Sequence, residues 1–213
     1  MAKISTLTDD FNDNSLNTTL WTNDISYLIG GDESLVGTLT EVGGKLEILQ
    51  VDGALALISK NDYDFQDSSI YFELSQIMTS GILFIYIINS DEQALLFLIS
   101  WEGEDCLLFP LYDLNDGSGN QYAGDFITYN STNHKFLRIR DSSSVWYWDV
   151  SSDGISWNNV DSCDHSALDP QPDFSTSKFL IYGGTDSSTP VIIDNVNPSE
   201  EEETNTTNFF QFF

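Results

Sequence analysis

The chain has 213 residues, with 34 Asp plus Glu against 7 Lys plus Arg, a formal net charge of −27 at pH 7. That balance repels polyanions and argues against nucleic acid or an anionic membrane surface as a direct partner. Hydrophobic residues at 40% supply enough apolar matter for a sizeable core, and the length suits one all-β domain.

The opening, Met1-Ala2-Lys3-Ile4-Ser5-Thr6, lacks the apolar stretch of a secretory signal, which predicts a protein made and used without signal cleavage. Asp9, Asp10 and Asp13 read either as metal ligands or as turn residues whose carboxylates bond nearby backbone N–H groups. From residue 45 onward, β-branched and aromatic clusters recur between Gly, Asn, Asp and Ser, while helical periodicity is nearly absent. Strands are predicted over 45–50, 54–59, 69–74, 82–88, 94–101, 105–111, 135–141, 145–151, 155–160, 178–182 and 191–196. Many short strands with turn punctuation describe an antiparallel β-sandwich or jelly roll.

The run 82–88 does not alternate and is read as a strand covered on both faces. Neither it nor the run 94–99 approaches the roughly 20 residues a membrane-spanning helix needs. Glu102, Glu104 and Asp105 read as acids of a surface loop. Asp113, Asn115 and Asp116 are candidate Ca²⁺ ligands in a Gly-rich acidic stretch, but the spacing falls one residue short of D-x-[DN]-x-[DN]-G, and a flexible turn is the simpler reading.

In 136–140, Leu137 and Ile139 share one face while Arg138 and Arg140 share the other, the alternation of a half-buried antiparallel strand whose arginines face out or into a groove. Between 145 and 157, Asp153-Gly154 supplies the positive φ of a tight hairpin, and Trp157 is expected to pack against the partner strand. Trp146 and Trp148 lie two apart, so with Trp101, Arg138 and Arg140 they could line a platform for sugar rings, but filling the core is the favoured reading for one or both of the pair. His134 and His165 stand outside any nucleophile motif, and Cys106 and Cys163 outside any C-x-x-C spacing, which predicts two free thiols. The N-x-[ST] sequons at Asn17, Asn130 and Asn205 matter only in a secretory setting.

Composition shifts near Pro198, so the domain is set at 1–198 and a tail at 199–213. Four successive glutamates from Glu200 repel one another and stay solvated. Phe209, Phe210, Phe212 and Phe213 then read as a contact segment that anchors the domain to a partner.

Three stretches resemble one family. Leu7-Thr8-Asp9-Asp10-Phe11-Asn12-Asp13-Asn14-Ser15-Leu16-Asn17 with Trp21 is similar to the opening of concanavalin A-like lectin/glucanase domains, the laminin-G-like jelly rolls. Phe136–Arg140 through Val145-Trp146-Tyr147-Trp148 to Ser151-Ser152-Asp153-Gly154-Ile155-Ser156-Trp157 resembles the family's paired strands and hairpin. Phe179-Leu180-Ile181-Tyr182-Gly183-Gly184 and Ile192-Ile193-Asp194-Asn195-Val196 resemble its closing pair. The resemblance implies two stacked antiparallel sheets, with uses from sugar binding and glycan hydrolysis to adhesion and virion decoration, and many relatives hold Ca²⁺ near a sheet edge. The glucanase branch carries E-x-D-x-x-E on one strand, where alternation points all three acids into the groove, and that pattern is absent from this sequence.

The leading expectation is therefore a non-enzymatic display protein on the outside of a virus or phage particle, made in the host cytoplasm. Its tail would hold it to a capsid or other virion protein, with self-association and a host-surface glycan as further partners left open. A lectin-like carbohydrate-binding module or adhesin is the alternative, and a glycan-cleaving enzyme ranks last. No cofactor is required on this reading, Ca²⁺ being the one metal considered.

Overall fold

The computed structural model describes residues 1–23, 37–50, 54–102, 104–115, 121–122, 125–169, 171–184 and 189–197. Asp116 and the whole predicted tail, 199–213 with its phenylalanines, lie outside them. The strands are β1 (Trp21–Thr22), β2 (Gly37–Glu41), β3 (Leu46–Gln50), β4 (Ala54–Ser59), β5 (Ser69–Gln76), β6 (Ile82–Asn89), β7 (Ala94–Glu102), β8 (Asp105–Asp113), β9 (Gln121–Tyr122), β10 (Ile127–Thr128), β11 (Phe136–Ser142), β12 (Val145–Ser151), β13 (Asn158–Asp164), β14 (Ser177–Gly184) and β15 (Val191–Val196). They form an eight-stranded sheet in the order β1-β4-β14-β6-β7-β8-β10, with β9 beside β8, and a seven-stranded sheet in the order β13-β12-β11-β5-β15-β3-β2. The pairings within both sheets are antiparallel, and the result is a jelly-roll β-sandwich.

Period-two alternation builds the core. From the eight-stranded sheet, Leu83, Ile85 and Ile87 of β6 and Leu95, Phe97 and Ile99 of β7 point inward. They meet Ile70, Phe72 and Leu74 of β5, Leu137 and Ile139 of β11, and Trp146 and Trp148 of β12. Burying each such side chain contributes about 1.5–3 kcal/mol before conformational entropy is counted. Trp148 also joins the sheets, its indole N–H donating to the Leu96 carbonyl at 2.9 Å.

The opening segment is packed by the same logic. Phe11 and Trp21 are fully buried with ring centroids 6.2 Å apart, and Trp21 meets Phe179 of β14 edge-on. Asp9 organises this entry by accepting from the Phe11 backbone N–H at 3.0 Å and from the Trp21 indole at 2.6 Å. Asp13 likewise accepts from Ser15 N–H, so the turn-residue reading of these acids is the one the structure gives.

The predicted elements are recovered, several of them longer than expected, and three expectations need correction. β6 is not covered on both faces: Leu83, Ile85 and Ile87 are buried while Ile82, Phe84, Tyr86 and Ile88 are half-buried on the outside. β13 begins at Asn158 rather than 155, because Asp153 accepts from the N–H groups of Ile155 and Ser156 and Ser151 Oγ from those of Asp153 and Gly154, which consumes the residues between. Gly154 adopts φ +75° there, as the hairpin requires. Trp157 packs not on its partner strand but over β11 and β5, with Arg138 on its face and Tyr71 at its edge.

Candidate functional site

The outer face of the eight-stranded sheet is apolar and much of it is covered: Ala56, Ile58, Leu180, Leu96 and Leu111 are buried, while Phe84, Tyr86, Leu98 and Tyr182 are half-buried. Cross-strand register sets two rows across it. One runs Ile58, Leu180, Tyr86, Leu96, Leu111, and the other Ala56, Tyr182, Phe84, Leu98, Phe109. Phe84 and Tyr86 stack at 5.4 Å, Tyr182 lies 5.9 Å from Phe84, and the exposed Phe126 continues the band 5.4 Å from Phe109. Along β7 this face shows Ala94, Leu96, Leu98, Ser100 and, at its far end, the exposed Glu102, which stands opposite Asp105 of β8. Asp113 closes one end of the face beside Ala94. Burial, then Tyr182 and Asp113, pushes the Tyr86 phenol up, so it stays a neutral hydroxyl at physiological pH.

The outer face of the seven-stranded sheet is polar. Arg138 stands opposite Tyr71 and Asp149, and Arg140 opposite Ser69 and Tyr147. Arg138 Nε and Nη2 and Arg140 Nε all donate to one oxygen, Asp149 Oδ2, at 3.0, 2.8 and 2.7 Å. The other carboxylate of this face that is largely buried, Glu73, is held by Lys135 at 2.6 Å.

A third feature is a cavity of about 260 Å³ lined by Gln66, Asp141, Trp146, His165, Gln171, Pro172, Asp173 and Phe174. The His165 ring lies flat on Trp146, centroids 4.5 Å apart. Gln171 Nε2 is 3.3 Å from His165 Nδ1, which leaves Nε2–H to donate to Asp141 Oδ1 at 3.1 Å. Among the described residues of the lining none carries a hydroxyl or thiol for this oriented imidazole to activate.

The structure therefore separates residues that the sequence grouped. Trp146 and Trp148 are core side chains, 1% and 0% exposed, and form no sugar platform. Trp101 points inward from β7 at its end, with its indole N–H on the Met78 carbonyl. Arg138 and Arg140 lie on the opposite sheet from Trp101. Asp113 Oδ1 accepts from the Asn115 backbone N–H at 2.8 Å, Asn115 Nδ2 reaches the Asp91 carbonyl, and among the described residues no group of three or more His, Cys, Asp or Glu is placed to hold a metal ion. Both cysteines are free thiols. The sequence reading missed the aromatic band, although apolar residues at both parities of 82–88 are the signature of a strand with two apolar faces.

No protein-family model and no curated protein matches the sequence. Solved structures do match in fold. The catalytic domain of an endo-1,3-β-glucanase (laminarinase) from Thermotoga petrophila RKU-1 aligns with TM-score 0.64 at 9% identity over 89% of this chain and 94% of that one. A β-agarase A in complex with oligoagarose aligns with TM-score 0.65 at 12% identity over 89% and 88%. SCLam, a non-specific endo-β-1,3(4)-glucanase from family GH16, gives 0.62 at 14% over 89% and 87%. The chain thus has the concanavalin A-like jelly roll that the opening and closing segments resemble. The expectation of a non-enzymatic display protein on a virus or phage particle, with glycan cleavage ranked last, is corrected on this finding: these similar structures are glycan-cleaving hydrolases, and nothing in them points to a particle surface.

Proposed function

We propose that the protein is a carbohydrate-active β-sandwich that engages a β-linked polysaccharide along the outer face of the eight-stranded sheet, with hydrolysis of that chain as the activity to assay. The observation that carries this reading is the band of half-buried Phe84, Tyr86 and Tyr182 across that face, on a fold similar over 89% of the chain to a laminarinase catalytic domain and a β-agarase. Aromatic faces suit the apolar faces of pyranose rings, and the Tyr86 and Tyr182 hydroxyls offer polar tips within the same band. Hydrolysis with a carboxyl pair would need two facing acids. By strand parity this face carries Glu102 opposite Asp105 at one end of the β7–β8 pair and Asp113 at the other, and these are the described carboxylates of the two strands on which acid chemistry would draw.

Laminarin, a mixed-linkage β-1,3/1,4-glucan and agarose, each incubated with the protein, test the reading through reducing-end release and retardation in glycan-containing gels. Release of reducing ends identifies a hydrolase of this class. Retardation without release keeps the glycan-engaging role and removes cleavage of these substrates. Neither effect on any of the three overturns the proposal.

A further inference from the structure

In a chain of net charge −27, each site of positive charge is conspicuous. Lys3, Lys45, Lys135 and Lys178 each meet a separate carboxylate, Asp64, Asp194, Glu73 and Asp62, at 2.6 to 3.0 Å. Arg138 and Arg140 do not: both converge on the single oxygen Oδ2 of Asp149. Asn159 Nδ2 occupies the other oxygen, Oδ1, at 3.0 Å, so this carboxylate is saturated. Two guanidinium groups thus share one carboxylate on the outer face of β11 and β12.

The geometry also leaves donors to spare. A guanidinium carries five N–H groups; Arg138 spends two on Asp149 and Arg140 spends one, its Nε. The remaining N–H edges belong to side chains 21% and 29% exposed. Both guanidinium planes are already fixed, Arg138 lying 4.1 Å from the Trp157 centroid and Arg140 3.6 Å from that of Tyr147. Little rotamer freedom is left to lose when a ligand arrives.

We infer that Arg138 and Arg140 form an oxyanion site for the carboxylate or sulfate group of an acidic saccharide, on the sheet opposite the aromatic band. A planar fork of N–H donors matches an oxyanion in two-point hydrogen bonding. The rings of Trp157, Tyr147 and Tyr71 beside it supply the apolar margin against which a sugar ring packs. The saccharide half of this inference rests on the glycan reading above, whereas the oxyanion half rests on the two arginines alone.

The experiment titrates the full chain, at fixed salt, with oligogalacturonate, a sulfated galactan oligosaccharide, inorganic sulfate and neutral laminari-oligosaccharide. The Arg138 and Arg140 Nε resonances are followed by NMR, with affinities from calorimetry. Movement of both resonances with an acidic oligosaccharide, and an affinity about tenfold or more weaker in Arg140→Gln while the neutral oligosaccharide is unaffected, is the expected result. Arg140→Lys, which keeps the charge and loses the fork, should fall between. The carboxylate and sulfate arms tell which oxyanion is preferred. Equal response to inorganic sulfate and to the acidic oligosaccharides overturns the saccharide half, and resonances unmoved by any anion overturn the site. Loss of neutral-glycan engagement with the arginine response intact would instead count against the glycan reading. The resonances of the unaltered protein serve where a variant does not fold.

Discussion

Trp148→Phe tests whether the two sheets are joined through their centre. The indole is fully buried, and its N–H donates at 2.9 Å to the carbonyl of Leu96, which is also fully buried. Phenylalanine removes the donor, which costs about 1–3 kcal/mol when a buried group loses its partner. It also leaves the space of the second ring, worth about 1 kcal/mol more where the surroundings relax only in part. The sum, about 2–4 kcal/mol, should lower Tm by about 5–15 °C for a domain of this size. Thermal unfolding followed by far-UV circular dichroism measures it, with Trp101→Phe as the internal comparison. Trp101 makes a similar bond to Met78 at 2.8 Å from a half-buried position at the sheet end, so its loss should be the smaller. A Trp148→Phe protein within about 2 °C of the parent, or more stable than Trp101→Phe, would refute the account of this contact.

Burial pushes the Cys106 thiol up to about 11 and raises Cys163 as well, so at pH 8 both should react with a disulfide reagent far more slowly in the native protein than in urea; equal rates would count against their placement. Glu41 is lifted to about 6, first by burial and further by Asp13 and Asp9, while the Ser15 N–H pulls it down. A folded pKa above the unfolded one gives stability present at low pH and lost as pH rises through about 6, so Tm should fall between pH 5 and pH 7 more steeply in the parent than in Glu41→Gln. Parallel slopes would show that the general relief of negative charge accounts for the whole effect. Gly154→Ala should cost about 1–2 kcal/mol for a left-handed backbone. Its added carbon would also lie 3.2 Å from the Phe136 ring, so an unchanged urea midpoint would contradict the hairpin geometry.

Alternation carried most of the sandwich. Leu137 and Ile139 against Arg138 and Arg140 fixed which way β11 faces, and Asp153-Gly154 marked the hairpin, because each is a local rule applied to adjacent residues. What stayed hidden depends on neighbours far apart in sequence. β1 and β2 are short and pair with β4 and β3, so the two-residue Trp21–Thr22 and the Gly- and Thr-containing Gly37–Glu41 carry little signal of their own. The aromatic band needs β14 laid between β4 and β6, which brings Tyr182 beside Phe84. The arginine pair was visible, but its convergence on Asp149 required the β11–β12 register. Spacing two apart likewise places Trp146 and Trp148 on one face without saying which, and their burial bears out the favoured core reading over the sugar platform.

The strand order also dictates when this protein can become itself. β14 is wedged between β4 and β6, and β15 between β5 and β3, so the middle of each sheet is filled by segments from late in the chain. Asn197, just beyond β15, then bonds the carbonyls of Ile4 and Leu7 and the N–H of Tyr71. A nascent chain emerging from the ribosome must hold the flanks of β4, β6, β3 and β5 unpaired until those segments arrive, exposing apolar edges for most of its synthesis. Folding should accordingly be slow and concentrated at the last moment, and a chain cut before Ser177 should aggregate rather than form a smaller sandwich.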